Sequence, residues 1–252
     1  MDTTFPLRRT NLIAAVLHGV SAIAILVLSN NFALPVTANY MQGPPGPDTK
    51  RELVALFSIP TAALVGAFFL LSALAHAFIA GPGWDRYQEN LAQGRNPYRW
   101  VEYSLSSSLM IVAIAQIVGI SDVAALAALV GVNASMIGFG WHQEKYEHPG
   151  SSLSPFWIGC LAGIIPWIGI GIYLGAPGAN AHAPGFVYGI FFSLFVFFNC
   201  FALNQYLQYR HVGKWKDYLY GEKTYLTLSL VAKSLLAWQI FGSTLASTNA
   251  GH

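Results

Sequence analysis

Seven apolar stretches of about 20 residues, separated by short polar segments, constrain this chain more than any other feature. A helix of that length spans the roughly 30 Å hydrocarbon core of a bilayer. Of the 252 residues, 54% are hydrophobic and only 10% are charged, whereas about a quarter of the residues in soluble domains are charged. The sequence therefore predicts an all-α, multi-pass protein of the cell membrane, with one seven-transmembrane-helix bundle over residues 1–252.

The predicted spans are bounded by polar residues, glycine and proline. They cover residues 11–34, 53–80, 97–120, 123–142, 156–176, 185–208 and 222–245. Asn96 and Pro97 form a typical helix start for the third span. Pro60 and Pro166 fall inside the second and fifth spans, where neighbouring helices tolerate a kink. The extracellular loop 35–52 carries proline and glycine, and we expect a short hairpin there.

The distribution of Lys and Arg sets the expected orientation, because basic loops stay on the cytoplasmic side. On the side of the N-terminus, the basic residues are Arg8, Arg9, Arg86, Arg95, Arg99, Lys145, Arg210, Lys214, Lys216 and Lys223. The opposite side has Lys50 and Arg51. The N-terminus is therefore predicted to be cytoplasmic and the C-terminus extracellular. A formal charge of +2, spread over many loops, argues against a nucleic-acid partner.

Few ionisable residues remain inside the predicted spans, and Lys233 is the most informative of them. It lies in the middle of the seventh span, where a lysine costs about 3 kcal/mol on insertion scales, so a functional role is the default interpretation. The amine can form a Schiff base with a carbonyl cofactor. The alternative is an ion pair with Glu102 that only holds two helices together.

Glu102, in the first half of the third span, is the only carboxylate placed to neutralise a cation at Lys233. One difficulty concerns depth. At 1.5 Å per residue, the span starts put Lys233 roughly 10 Å deeper than Glu102. Side chains lean toward the N-terminus of their helix, so the lysine points back toward the glutamate and the pairing is feasible.

His18, His76 and Ser106 share the cytoplasmic half of the bundle with Glu102 and are predicted to form a proton-accepting polar cluster. No predicted span carries a carboxylate in its extracellular half. A proton pump generally needs titratable groups on both sides of the active amine, so net transport is disfavoured.

Aromatic residues of the fifth to seventh spans offer a pocket for a polyene, although aromatic stripes usually form only a helical core. They are Trp157, Trp167, the run Phe191–Phe201 and Trp238. Ser229 lies one turn before Lys233, on nearly the same face of the helix. Two pairs of glycines, Gly159 with Gly163 and Gly171 with Gly175, permit close helix contact within the bundle or in a homodimer.

Three runs of this sequence resemble heliorhodopsins: SLVAKSLLAW at 229–238, RWVEYSLSSS at 99–108 and WHQE at 141–144. The resemblance extends to the number of spans, the orientation and the long first extracellular loop. It implies all-trans retinal bound to Lys233 as a protonated Schiff base, Glu102 as its counterion and Ser229 beside the nitrogen. It also assigns His18 and His76 to a polar cavity that receives the released proton.

The resemblance further places five residues along the retinal. These are Met136, Trp157, Phe198, Gln205 and Trp238. The implied function is a light sensor with a slow photocycle and no net ion pumping, often a homodimer, that signals to or regulates an unidentified partner. The alternative is a light-gated proton conductor or a light-driven proton pump.

Three other classes of protein fit the sequence less well. An ordinary microbial rhodopsin pump would have a second carboxylate near the amine and an N-terminus outside. A seven-helix zinc hydrolase needs three converging histidines, commonly with a His-x-x-x-His pair, which this sequence lacks. We therefore expect no metal site and no enzymatic activity. A small-molecule transporter would show internal repeats or broken helices.

Overall fold

Seven long helices form the body of the molecule in the residues that the computed structural model describes, 5–148, 151–176, 178 and 180–246. They are α1 (Phe5–Leu28), α2 (Thr61–Ala80), α4 (Pro97–Ile117), α5 (Val123–Lys145), α6 (Ser154–Gly175), α7 (Gly185–Tyr209) and α8 (Tyr218–Ile240), with a short α3 (Trp84–Ala92) between α2 and α4. A 3-10 turn (Gly213–Lys216) precedes α8 and a π-helical turn (Phe241–Leu245) follows it. The predicted seven-helix membrane fold is confirmed.

The long helices close into a ring. Each packs on the next, with α2 against α4, and α8 returns to α1. Fully buried side chains such as Phe68, Ile114 and Leu236 fill the interior. Large apolar side chains such as Val27 and Leu161 are exposed on the outside, as expected for a surface that faces lipid. The ring therefore encloses an interior that is shielded from the bilayer.

A β-hairpin replaces the ends of the first two predicted spans. Strand β1 (Ala33–Met41) pairs antiparallel with β2 (Arg51–Pro60), from Ala33 opposite Pro60 to Met41 opposite Arg51. The hairpin expected within 35–52 is therefore present but longer. The predicted spans 11–34 and 53–80 are wrong at these ends, because short apolar runs such as 53–59 look alike in a strand and in a buried helix.

Pro60 is also placed differently from the prediction. It ends β2 and caps the start of α2 with a φ of −62°, a value at which the proline ring is unstrained. It therefore separates strand from helix and does not lie within a helix. Pro166 lies inside α6 as expected.

Helix α3 was not predicted from the sequence. Its Trp84, Tyr87 and Leu91 are buried, whereas Asp85, Arg86 and Glu89 are exposed. These buried residues pack on the ends of α1, α2 and α8 through Leu7, Ile79 and Tyr218. We call this end of the bundle the α3 side and the end that carries β1 and β2 the hairpin side.

Local signals in the sequence explain where α4 and α5 begin. The Asn96 side chain accepts a hydrogen bond from the Arg99 amide at 3.2 Å, and the Asp122 carboxylate accepts from Ala124 and Ala125 at 3.0 Å. Side-chain caps of this kind satisfy amides that have no partner within the helix. The starts of the third and fourth predicted spans are correct for this reason.

Candidate functional site

Lys233 lies near the middle of α8 and is enclosed by the bundle, with 3% of its surface exposed. Its Nζ donates hydrogen bonds to Glu102 Oε1 at 3.0 Å and to Ser229 Oγ at 2.7 Å. The Tyr103 ring centre lies 5.2 Å from the same nitrogen. The buried amine therefore has a carboxylate, a hydroxyl and an aromatic face as neighbours, which together compensate for the loss of water around a cation.

The expected difference in depth between Lys233 and Glu102 is present in the structure, and the lysine side chain bridges it. Asn96 Nδ2 donates to Glu222 Oε2 at 2.7 Å, so residue 96 of one helix is level with residue 222 of the other. Measured from that level, Lys233 is about 7.5 Å deeper than Glu102 at 1.5 Å per residue. A lysine side chain that leans toward the start of α8 spans this distance.

Glu102 is held by a second hydroxyl that sequence reasoning missed. Ser72 Oγ, on α2, donates to Glu102 Oε1 at 2.5 Å and also lies 3.0 Å from the Phe68 carbonyl oxygen. A serine inside an apolar helix often bonds only to its own backbone, so no feature of the residue pattern indicates this contact. Glu102 is consequently fixed by groups from α2 and α8.

His18 and His76 are buried and stack against each other, with ring centres 5.6 Å apart and planes 7° apart. Asn11 Oδ1 lies 2.8 Å from His76 Nδ1. Three ring nitrogens have no hydrogen-bond partner among the described residues. They are both nitrogens of His18 and the Nε2 of His76. The sequence predicted the two histidines but not Asn11.

Ser106 does not join the two histidines as predicted. It lies one turn after Glu102 on α4, where its buried hydroxyl has no partner within the described part of the chain. It lines the large cavity described next, together with Lys233. Its position beside the amine is therefore as expected, but its membership of the histidine cluster is not supported by a contact.

A large cavity extends from Lys233 between α4, α5, α6 and α7. It contains about 830 Å³ of empty space, including its opening. Most of its lining is aromatic or aliphatic. The lining residues predicted from the sequence are Met136, Phe198, Gln205, Ser229 and Lys233, and others include Trp100, Tyr103, Phe156, Cys160, Phe201 and Tyr225. A mostly apolar cavity with the Lys233 side chain in its lining, called the slot below, is thus the main feature of the interior.

Trp157 and Trp238 were expected along this cavity but lie outside its lining. Their exposed fractions are 58% and 43%. At about 100° per residue, Trp238 is turned by roughly 140° from Lys233 on the same helix, and it packs on Phe241. On α6 the neighbouring Phe156 lines the cavity, whereas Trp157 points outward beside Tyr206.

Glycines of α5 and α6 leave room for the side chains that line the slot. A Cβ atom at Gly140 would lie 2.6 Å from the Trp100 ring, and one at Gly163 would lie 2.5 Å from Met136 Sδ. Any larger residue at either position would push a cavity-lining side chain inward. The pair Gly159 and Gly163 therefore serves contacts between α5 and α6 inside the bundle.

A second buried group of charges lies nearer the α3 side and was missed. Arg99 forms ion pairs with both Glu144 and Glu222, and all three side chains are almost completely buried. Glu144 also accepts hydrogen bonds from Trp100 Nε1 at 2.5 Å and from Tyr218 at 2.9 Å. We call these five residues the Arg99 cluster. The sequence prediction had counted Arg99 as a loop residue because it lies only three positions after Asn96.

A small cavity connects the two buried groups of charges. Its lining includes Asn11, His76 and Tyr87 as well as Arg99, Glu102 and Glu222. In the part of the chain that the structure describes, the spanning helices carry carboxylates at Glu102, Glu144 and Glu222. All three lie toward the α3 side. Titratable groups are therefore concentrated between Lys233 and that end of the bundle.

Comparison with known families identifies the chain. A family model described as heliorhodopsin matches residues 7–245. The chain belongs to the heliorhodopsin family. No curated protein matches the sequence significantly.

Solved structures similar to this heliorhodopsin are microbial rhodopsins. The transmembrane domain of Salpingoeca rosetta rhodopsin phosphodiesterase has a TM-score of 0.67 and 10% identity over 94% of this chain and 83% of that chain. The light-driven proton pump rhodopsin of Coccomyxa subellipsoidea has a TM-score of 0.65 and 15% identity over 94% and 96%. Exiguobacterium sibiricum rhodopsin has a TM-score of 0.64 and 14% identity over 93% of this chain and 94% of that chain. At these identities the likeness shows the fold alone.

The residues of the site fit a retinal group. Lys233 lines the apolar slot, and the glycine at 140 leaves room beside the Trp100 ring that a Cβ would fill. Family membership and the shared fold support a retinal-binding photoreceptor that crosses the membrane several times. Among the described residues, no group of three His, Cys, Asp or Glu side chains is arranged to hold a metal ion.

Proposed function

We propose that this heliorhodopsin is a light sensor with a slow photocycle that carries all-trans retinal on Lys233, as a protonated Schiff base, and moves no net ions. The observation that supports it best is that Lys233 lines a large, mostly apolar cavity while its Nζ lies 3.0 Å from Glu102 Oε1 and 2.7 Å from Ser229 Oγ. Retinal bound there supplies a polyene that absorbs visible light and isomerises. The side chains of the protein hold and move the proton.

In the dark, Glu102 is the counterion of the positive nitrogen at Lys233. A buried cation is stable only when an anion and hydrogen-bond acceptors replace its water. Ser72 and Ser229 provide hydroxyls on either side of that pair. They fix the carboxylate and the nitrogen relative to each other. A change in the geometry at Lys233 therefore directly alters the strength of the ion pair between Lys233 and Glu102.

After illumination, the nitrogen of Lys233 gives up its proton toward the α3 side. His76 lines the small cavity beside Glu102, and its Nε2 has no hydrogen-bond partner among the described residues, nor has either nitrogen of the stacked His18. A proton held there returns to Lys233 by the same route, because the spanning helices have no carboxylate toward the hairpin side among the described residues. A proton that leaves Lys233 and returns to it on the same side of the membrane gives no net transport.

A light-gated proton conductor or a light-driven pump is the second candidate. The cavity that joins Glu102 to the Arg99 cluster supplies half of a proton path, and one structural neighbour is a light-driven proton pump. A conductor would also need a path on the hairpin side. Illumination of vesicles that contain the protein separates these functions, since a sensor leaves the pH of the medium unchanged over a full cycle.

Orientation and assembly complete the proposal. The excess of basic residues at the α3 end supports an N-terminus in the cytoplasm, because basic loops are retained there. We also propose a homodimer that signals to a partner protein. Protease access in sealed vesicles tests the orientation, and cross-linking in the membrane tests the dimer.

The decisive experiment adds all-trans retinal to the purified protein and to the variants Lys233→Ala and Glu102→Gln, and records visible spectra. We expect a visible band in the unaltered protein, no band in Lys233→Ala and a displaced band in Glu102→Gln. A band that persists in Lys233→Ala would contradict covalent attachment at that residue. A glutamine variant with an unchanged band would contradict the role of Glu102.

A further inference from the structure

Asn11 links the histidines to the short helix α3. It is fully buried in α1. Its Nδ2 donates to the Leu7 carbonyl oxygen at 2.9 Å, and its Oδ1 lies 2.8 Å from His76 Nδ1. The carbonyl oxygen of Leu7 accepts but never donates, so the amide of Asn11 must face it with its NH₂ group. The Asn11 oxygen is therefore the atom that faces His76.

This arrangement sets the tautomer of His76. The Asn11 oxygen can only accept, so His76 Nδ1 carries the hydrogen of the contact. A neutral imidazole has one N–H group, which leaves Nε2 as a bare acceptor. That nitrogen is buried without a partner among the described residues, and His76 lines the same small cavity as Glu102. Asn11 thus presents a basic nitrogen toward the charged pair.

Tyr87 connects the same asparagine to α3. The Tyr87 side chain hydrogen-bonds the Asn11 side chain, and burial raises the pKa of Tyr87 to about 12. The phenol is therefore neutral at ordinary pH, and it lines the same small cavity as Asn11 and His76. Its ring is 1% exposed and packs on Trp84 and Tyr98. Since α3 lies outside the spanning helices, Tyr87 is where the buried histidine cluster meets the surface of the protein.

We propose that Asn11 is a positioning residue that holds His76 Nε2 free to receive a proton and passes the resulting change to α3 through Tyr87. The inference rests on the proposed retinal function and identifies how the signal leaves the site. When a proton moves from the Lys233 nitrogen to His76 Nε2, the imidazole becomes a cation. Its Nδ1–H then binds the Asn11 oxygen more strongly, because charged donors form the stronger hydrogen bonds, and the same amide group contacts Tyr87.

The charges that face His76 from neighbouring helices act together with this change. His18 of α1 stacks on it, Glu102 of α4 lies across the small cavity, and Lys233 of α8 lies beyond Glu102. Arg99 and Glu222 line the far end of the same cavity. Moving one proton from Lys233 to His76 leaves the total charge of these groups unchanged but shifts positive charge toward α1 and α3.

The test uses the full-length protein loaded with retinal and the matched variants Asn11→Leu and Tyr87→Phe. Nitrogen-15 NMR of labelled histidine in the dark reports the tautomer. A nitroxide on Glu89→Cys, at the exposed face of α3, reports light-induced motion, and one on Lys216→Cys at the same end serves as control. Protein without an added cysteine checks that Cys160 and Cys200 remain unlabelled.

We expect the Nδ1–H tautomer of His76 in the unaltered protein and a light-induced change at the Glu89 label but not at the Lys216 label. Tyr87→Phe keeps the tautomer and the light-induced deprotonation but reduces the change at the label at least twofold. Asn11→Leu reduces the Nδ1–H population and shortens the deprotonated state several-fold. An Nε2–H tautomer in the unaltered protein, or an unchanged label signal in Tyr87→Phe, would overturn the proposal.

Failure of the proposed retinal function would give a different result from failure of the role proposed for Asn11. If retinal produced no visible band in the unaltered protein, the retinal function would fail, while the histidine tautomer in the dark would still test the role of Asn11. If Asn11→Leu did not fold, the tautomer in the unaltered protein and the label signal in Tyr87→Phe would still decide the proposal, because that substitution removes only a hydroxyl.

Discussion

On the α3 side of Lys233, a carboxylate, two histidines and the Arg99 cluster surround small polar spaces, whereas the hairpin side of the spanning helices holds no carboxylate among the described residues. The hairpin side is instead fixed by backbone contacts. Strand β1 bonds to the α4–α5 connection through Thr37 and Ser121, with the Thr37 amide 2.8 Å from the Ser121 carbonyl oxygen.

The difference indicates that the two ends have separate tasks. Buried charges are costly unless they are paired, so a cluster of them inside a membrane points to function. A hairpin stabilised by backbone bonds can close its end of the bundle without any titratable group. Four substitutions break or sharpen this comparison, two of them within the charged half, one at its edge and one at the hairpin.

The largest effect is expected from removing the cation of the Arg99 cluster. Arg99→Met leaves Glu144 and Glu222 buried without their partner, and breaking a buried ion pair costs about 3–5 kcal/mol. The loss in the free energy of unfolding is measured by unfolding the purified protein with increasing concentrations of a denaturing detergent. Glu222→Gln is the matched control, because it keeps Arg99 paired with Glu144. Equal stabilities of Arg99→Met and the unaltered protein would show that the cluster is not structural.

Glu102→Gln acts at the centre of the comparison. The neutral amide no longer balances a positive nitrogen on Lys233, so less of the protein keeps that nitrogen protonated. The loss of a buried charge partner exceeds about 1.4 kcal/mol, a factor of ten in an equilibrium. We therefore expect the share of visible-absorbing protein at neutral pH to fall about tenfold in spectra. Full retention of the band would mean that another anion balances the charge.

Ser72→Ala removes the hydroxyl that donates to Glu102 while the ion pair with Lys233 remains. Hydrogen bonds to charged groups contribute about 1.5–3 kcal/mol. We expect a stability loss within that range and a displacement of the visible band smaller than that of Glu102→Gln, because the counterion itself remains. Ser135→Ala is the control, since its hydroxyl bonds only the Gly131 carbonyl oxygen on an exposed surface. Identical spectra for the two variants would exclude Ser72 from the counterion site.

Sequence reasoning located the spans that have side-chain caps or long apolar runs, and it identified Lys233 and Glu102 because ionisable residues are rare in apolar helices. It failed where one residue pattern allows two structures. Residues 53–59 suit both a strand and a helix, and the strand forms because β1 supplies its hydrogen bonds. Nothing local to either segment predicts that partner.

The site was only partly predictable for a related reason. Arg99 and Glu222 lie near helix starts, where charged side chains usually reach water, but here they are buried and paired across helices, Arg99 also with Glu144 of α5. Ser72 and Asn11 are common residues in helices and acquire a role only from what faces them. The outward position of Trp238 follows from helix geometry, since five residues turn a side chain away from Lys233.

The smallest effect is expected at the hairpin. Thr37→Val removes the hydroxyl contact with Ser121 Oγ at 2.9 Å but keeps the backbone bond. One neutral hydrogen bond contributes about 1 kcal/mol, so unfolding in denaturant should show a loss of that size. Thr227→Val is the control, because its exposed hydroxyl bonds only within its own helix. The visible band and the lifetime of the deprotonated state should not change. An altered lifetime in Thr37→Val would mean that the hairpin side takes part in the light reaction, and the division between a charged sensing half and a structural closing half would then fail.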